Sequence, residues 1–435
     1  MKISLKRKYA AVLPLILSIA VLLLLGCQAE SQDGRSEFTD HAAELSRTKD
    51  AYNNKEEMPD DNPDYEVKYI ELKDTQKNNI LKKLSDVMEK CAPIYSQAAD
   101  ASSPGGVLAE DDIHRMADLI AQDKKAVICG SRDDNMRNYE EVDSAIRRGK
   151  AGKNAGAEFY SVNTNGIFRY YKLEFEKENL FVTFASAVYH GSLMDDTKNG
   201  NKDVHQDMTP TVQQIEKICT YQWDYTEKGW LIWEKALSRN QEMDMHIFYR
   251  ILPLDSECRR LSKKCIEPVS YFSNNLFLTD WDASDLSQLE FNDLFDSFYY
   301  MSSGRRPDKD IFRDGIPKEE FEDTIQRYLD IETGELEQRA FYDKKKGTYP
   351  WLAITGWNRL PQLQPFPEVT DCREHGDGIL DLYVDAVFVE EGTDRAFSHV
   401  VTVKEKDDGG FVYLGNKIDQ EHVLHMPVYR PRREF

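Results

Sequence analysis

Residues whose type and spacing could do chemistry fall in four places along the chain. The first is the loop 195–203, Asp-Asp-Thr-Lys-Asn-Gly-Asn-Lys-Asp. Asp195, Asn199, Gly200 and Asp203 stand at positions 1, 5, 6 and 9 of a calcium loop, where a hard cation takes carboxylate and carbonyl oxygens. Thr197 is a poor third ligand, and Gln206 stands where a bidentate Glu would close the loop. The loop offers too few carboxylate oxygens, so the expectation is a solvated loop holding no metal. The second place is the acidic run of Asp371, Glu374, His375, Asp377 and Asp381. Asp377-Gly378 with Asp381 echoes a calcium-binding turn, but Arg373 and His375 occupy earlier ligand positions. Strand alternation puts Asp381, Tyr383 and Asp385 on the solvent face, opposite Leu380, Leu382 and Val384.

The third is the basic group Arg147, Arg148, Lys150 and Lys153 around Gly149 and Gly152. That glycine spacing does not match a phosphate loop, and cations suit a helix C-terminus. Arg430, Arg432 and Arg433 read as a frayed tail. The fourth is the aromatic segment from Tyr349 through Trp351 and Trp357 to Phe366. Trp351 and Trp357 could stack on sugar rings, although aromatics at alternating positions usually build cores. No nucleophile elbow, HExxH helix or Cys-His-Asn order is present, and nine histidines are scattered. Carboxylates are too abundant for a glycosidase pair to be singled out. The sequence shows no catalytic constellation and implies no cofactor.

Cys27 carries a different kind of chemistry. Lys2, Lys6, Arg7 and Lys8 precede the apolar run 10–25, which ends in Leu24-Leu25-Gly26-Cys27. This junction looks like a bacterial lipobox. Residues 1–26 then form an export signal, and the Cys27 thiol takes a thioether-linked diacylglycerol. The run is shorter than a spanning helix wants and contains Pro14, which argues against a permanent membrane span. Two acyl chains anchor stably where one is marginal. The expected location is the outer face of the cytoplasmic membrane.

Without the signal, 409 residues remain, and the formal charge falls from −21 to −25. So acidic a chain does not suit nucleic acid, nor lying flat on anionic lipid. Six further cysteines, at 91, 129, 219, 258, 265 and 372, show no zinc or CxxC spacing. Cys258 and Cys265, seven apart in a segment read as helical, would be separated by about 10.5 Å of rise, beyond disulfide reach. Most of the six read as small core residues.

The elements that would position these residues begin after a tether. Residues 28–66 hold twelve acids against four bases and a Pro-Asp-Asp-Asn-Pro run at 59–63. They bury little, and as a coil they span about 35 Å. A first folded region, 67–240, opens with helices. Ile80, Leu84, Val87, Met88 and Cys91 share a face closed by Pro93, and Ile113, Met116, Leu119 and Ile120 mark a second helix. A third runs over 138–148. Strands follow at 158–163 and 167–175 around Asn165-Gly166, at 180–189, and at 218–225 paired with 230–237. The second region, 241–425, repeats the order. Helices are expected over 246–262, 285–300 and from Pro317, then strands at 378–390, 397–406 and 411–416. Residues 426–435 are a tail.

Helices followed by an antiparallel sheet that ends in a long hairpin are similar to NTF2-like and cystatin-like α+β folds. Two such domains in tandem are expected. The segments CIEPVSYFSNNLFLTDWD (265–282), FNDLFDSFYYMSSG (291–304) and IPKEEFEDTIQRYLDI (316–331) also resemble an uncharacterised lipoprotein family of Gram-positive anaerobes. That resemblance implies lineage and no mechanism, with the surroundings of Asn274 and Asn275 as places of interest. The resulting expectation is a tethered, non-catalytic binding or scaffold protein that meets the membrane through lipid and an envelope protein or the cell wall through its domains. An importer's solute-binding lipoprotein, with two lobes of parallel sheet, and an envelope glycan or peptide hydrolase are the alternatives.

Overall fold

The computed structural model describes residues 67–101, 108–130, 134–189, 209–236, 244–354 and 364–432. Cys27, the loop with Asp195, Asn199 and Asp203, and Trp357 lie outside them. The chain divides into two compact units. One comprises the chain up to Tyr225, with Trp233–Asp244 and Tyr249–Ile251; the other comprises Thr226–Ile232, Met245–Phe248 and Leu252–Phe435. The described helices and predominantly antiparallel sheets make this an α+β protein.

In the first unit the strands β1 (Val67–Tyr69), β2 (Ala126–Cys129), β3 (Ala155–Val162), β4 (Phe168–Glu176), β5 (Asn179–Tyr189) and β6 (Pro210–Thr220) form a sheet in the order β1-β6-β5-β4-β3-β2. All pairings are antiparallel except β2 with β3. One face packs on helices α1 (Asp74–Ala101) and α2 (Glu110–Ala121). Leu84, Met88, Ile113, Met116, Tyr160 and Phe168 are buried there. Each such side chain contributes roughly 1.5–3 kcal/mol. The opposite face buries Phe159, Tyr171, Leu173 and Phe175. Helix α3 (Glu140–Lys150) covers its lower end, with Gly149 against the Phe175 ring.

Two expectations for this unit need correction. Helix α1 does not close at Pro93 but continues to Ala101. The apolar stripe continues too, and burial of Tyr95 and Ala98 offsets the roughly 3 kcal/mol that an internal proline costs. The strand expected over 218–225 is broken. The Thr220 hydroxyl accepts from Gln222 N at 3.1 Å, which turns the chain. Strand β7 (Trp223–Tyr225) then belongs to a separate three-stranded sheet with β8 (Trp230–Ala236) and β9 (Asp244–Arg250).

Strand β9 occupies the start of the helix expected over 246–262. Its short apolar run Ile247-Phe248-Tyr249 fits either structure, and Pro253 bars helix through the middle. Only α4 (Ser256–Leu261) and a π turn (Ser262–Ile266) are helical, with Asp255 accepting from Glu257 N and Cys258 N at the start. All six described cysteines are free thiols.

The second unit continues with β10 (Trp281–Asp282), α5 (Phe291–Ser303), β11 (Ile316–Pro317), α6 (Lys318–Gln326), α7 (Thr333–Arg339) and β12 (Thr348–Tyr349). It ends in β13 (Phe366–Gly376), β14 (Ile379–Val387), β15 (Phe397–Glu405) and β16 (Phe411–Val423). The sheet order is β10-β16-β15-β14-β13, antiparallel throughout. Phe295, Phe298 and Phe321 from the helices pack with Leu382, Val401 and Tyr413 from the strands. Strand β13 was not foreseen, because its outer half is mostly polar and a register shift between Val369 and Asp371 breaks its alternation.

Candidate binding groove and polar clusters

Strand β2 pairs with β3 only from Phe159 to Val162. The first half of β3, with the small residues Ala155, Gly156 and Ala157, has no described strand on that edge. A groove of about 830 Å³ opens there. Helix α1 contributes Lys83 and Asp86 to its wall, and Lys124 and Lys125 come from the turn before β2. Strands β3 and β4 supply Glu158, Lys172 and Glu174, which share the face that packs on α1.

The groove's charges are arranged as ion pairs. Lys83 reaches both Glu158 oxygens, at 2.6 and 2.5 Å. Glu174 accepts from Lys172 at 2.7 Å and from Lys217 at 2.8 Å. Burial works to raise the Glu174 pKa, but those hydrogen bonds hold it below the usual carboxylate value. The Tyr160 hydroxyl is pushed up by burial and then by Glu158 and Asp86, so it remains a neutral donor. Paired charges beside unpaired strand edge can bind a polar ligand that has donors and acceptors of its own. The volume falls within the range of ordinary ligand sites.

A second cluster in this unit brings His114 Nδ1, Cys129 Sγ and an Asp134 carboxylate oxygen within 4.8 Å of one another. This is a ligand set suited to a soft divalent metal, but a side chain takes the cation's place. Arg137 donates to Asp134 at 2.6 Å, to His114 Nδ1 at 2.9 Å, to Asp118 at 2.6 Å and to Cys129 Sγ at 3.8 Å. Because Arg only donates, His114 must accept through Nδ1. Burial, reinforced by Asp134, pushes the Cys129 thiol far up, so no thiolate is on offer. The residues present fit an arginine-centred network and not a metal. These residues come from α2, β2 and the segment after β2, and no local spacing announced them.

A model described as a family of unknown function, DUF6070, matches residues 77–432. The chain belongs to that family. No curated protein matches the chain, and no solved structure does.

The family's matched region takes in the second unit as far as Arg432, where the remaining expected site residues lie. Of the acidic run, the structure joins His375 to Asp381 at 2.7 Å, with Thr402 also donating to Asp381 at 2.7 Å. Asp385 is not on the solvent side. It is 3% exposed, because both sheet faces are covered at that end of β14. It pairs with Lys228 and accepts from Ser398 at 2.6 Å. Glu368 lies directly across from it on β13 and accepts from the Trp230 indole at 3.2 Å.

Asn274 and Asn275 are buried and committed to the backbone. They bridge Val269 O, Phe272 O and Leu276 N, and Gln288 O and Glu290 N, respectively. Trp351 is half-buried, edge-on to Phe312, and its indole donates to Asp296 at 3.2 Å. Arg432 is no frayed end. Its guanidinium is held between Asp293 and Asp296. Among the described residues no helix is long and apolar enough to cross a membrane.

Proposed function

We propose that this chain is a lipid-anchored, extracytoplasmic binding protein of a bacterial cell envelope, non-catalytic and built from two NTF2-like or cystatin-like domains in tandem. The observation that carries the binding role is the groove beside β3. It combines ligand-sized volume, an open strand edge and charges matched in pairs, without a nucleophile set against a base. The anchor rests on the basic start, the apolar run and Gly26-Cys27. The acidic stretch 28–66 then holds the groove clear of lipid and free to meet an envelope protein or wall polymer.

The importer alternative is weakened by sheet direction. Such two-lobed proteins are organised around parallel sheets, whereas β2–β3 is the one parallel pairing in the described six- and five-stranded sheets. The test is a photo-crosslinking amino acid placed at Lys124 in the full-length protein in its own cells. The expected result is a discrete adduct that is lost with Lys83→Ala plus Lys172→Ala and absent from a probe at the exposed Lys344. Equal labelling from both positions, or none from Lys124, would refute the groove as the binding site.

A further inference from the structure

On the sheet face opposite the groove, the rungs of β3, β4 and β5 run Phe159–Tyr171–Phe184 and, one step further, Ser161–Arg169–Ser186. Arg169 is 9% exposed. A guanidinium stays charged, and its burial is costly unless something compensates it. Among the described residues no carboxylate pairs with it. The groups that act on it are the hydroxyls of Tyr249 and Tyr171, and Tyr249 is its hydrogen-bond partner.

Those hydroxyls do not neutralise it. Tyr249 accepts from the guanidinium and donates onward to Tyr171 at 2.8 Å, so the chain ends on a neutral hydroxyl. Both phenols are buried, and burial drives the Tyr171 hydroxyl well above its usual value, so Tyr171 supplies no phenolate. Across the strand, the Ser161 hydroxyl is occupied by Gly130 O at 3.2 Å. The buried Ser186 hydroxyl, directly opposite Arg169, makes no side-chain hydrogen bond among the described residues. A buried positive charge therefore meets only neutral hydroxyls, and no carboxylate among the described residues balances it.

We propose that Arg169, with Ser186 and Tyr249 beside it, binds the carboxylate of a small organic ligand. A carboxylate matches the guanidinium fork with two parallel hydrogen bonds. It also carries the single negative charge that balances one arginine in a poorly solvated site. A phosphate dianion would leave a net charge behind. Of the rings on the next rung, Phe159 and Tyr171 are buried against each other and Tyr249, and the part-exposed Phe184 is the one the rest of the ligand would meet. This site lies on the other sheet face from the groove and does not depend on it.

The test uses the purified full chain, with sodium benzoate as the probe and sodium chloride and phosphate at matched ionic strength as references. Benzoate is expected to raise Tm saturably and to give a 1:1 binding isotherm. Phosphate should do neither. Arg169→Gln should weaken benzoate by about tenfold or more. If that variant fails to fold, Arg169→Lys and Ser186→Ala take its place, each expected to bind several-fold more weakly. The surface variant Lys344→Ala should bind benzoate normally. Absence of a saturable benzoate effect, equal binding by the Arg169 and Ser186 variants, or preference for phosphate would each overturn the proposal.

Discussion

Arg432 and Asp293, 139 residues apart, form a buried ion pair with Nε 2.7 Å from Oδ1. The Arg432 backbone N–H donates to the same carboxylate at 3.0 Å, and Tyr429 donates to it as well. Asp296, whose pKa burial raises and Arg432 lowers, takes the other side of the guanidinium. The C-terminal segment is thereby locked to α5.

Removing that lock strands two buried carboxylates. Breaking a buried pair from one side costs about 3–5 kcal/mol, far more than the pair contributes against an apolar replacement. Arg432→Ala is therefore expected to lower the second unit's stability by roughly that amount. Deletion from Pro431 onward should match it. Adding Asp293→Asn and Asp296→Asn to Arg432→Ala should recover part of the loss. Urea melts of the four proteins check this. A midpoint unchanged in Arg432→Ala would show the contact to be energetically idle.

The buried His399 makes stability depend on pH. Its Nδ1 faces Asn416 Oδ1 at 2.6 Å and its Nε2 faces the Tyr271 hydroxyl at 2.9 Å. With Nδ1–H donating to Asn416 and Nε2 accepting from Tyr271, the ring is satisfied while neutral. Burial depresses its pKa to about 4, against a smaller raising effect from Asn416. The unfolded chain, titrating near 6.5, binds more protons between those values. Stability from this group is thus present above about pH 6.5 and is lost as pH falls toward 4, by up to about 3 kcal/mol. His399→Asn should be less stable at pH 7 and should show a flatter stability profile from pH 6.5 to 4.5. Parallel profiles for the two proteins would refute the assignment.

Helix α3 sits where it does because residue 149 has no side chain. A Cβ there would overlap the Phe175 ring. Alanine normally stabilises a helix interior by about 1 kcal/mol over glycine. At this position overpacking of about 1–3 kcal/mol opposes that gain. Gly149→Ala is expected to be destabilising overall, Gly149→Val more so, and Phe175→Leu should relieve the alanine variant. Thermal melts of the single and double variants settle the sign. A stabilised Gly149→Ala would mean that the ring yields freely.

Legibility from sequence tracked the range of the interactions. The strands flanking Asn165-Gly166 were readable because the turn is local and Gly166, at φ +76°, supplies it. The passage of α1 through Pro93 was not, since it depends on Tyr95 lying under Gly166, 71 residues onward. Asp385 was misplaced for a similar reason. Strand alternation assumes one wet face, and at this end of β14 neither face is wet. The groove's charged lining reads locally as scattered surface residues, and only the short β2 ladder exposes the edge that groups them. Arg169 is an ordinary strand residue until its rung partners are known.

The proposed anchor rests on a single sulfur. If Cys27 carries the lipid, Cys27→Ser should abolish incorporation of an alkyne-tagged fatty acid and move the protein from the membrane fraction to the medium. Folding of the two units should be untouched, because neither contains the residue among its described contacts. Two acyl chains hold a protein far more tightly than one, so the shift should be nearly complete and not a partial redistribution. A Cys27→Ser protein that remains membrane-bound after high-salt washing would mean that the apolar run 10–25 is retained as the anchor. The 28–66 tether would then begin from a protein span and not from a lipid.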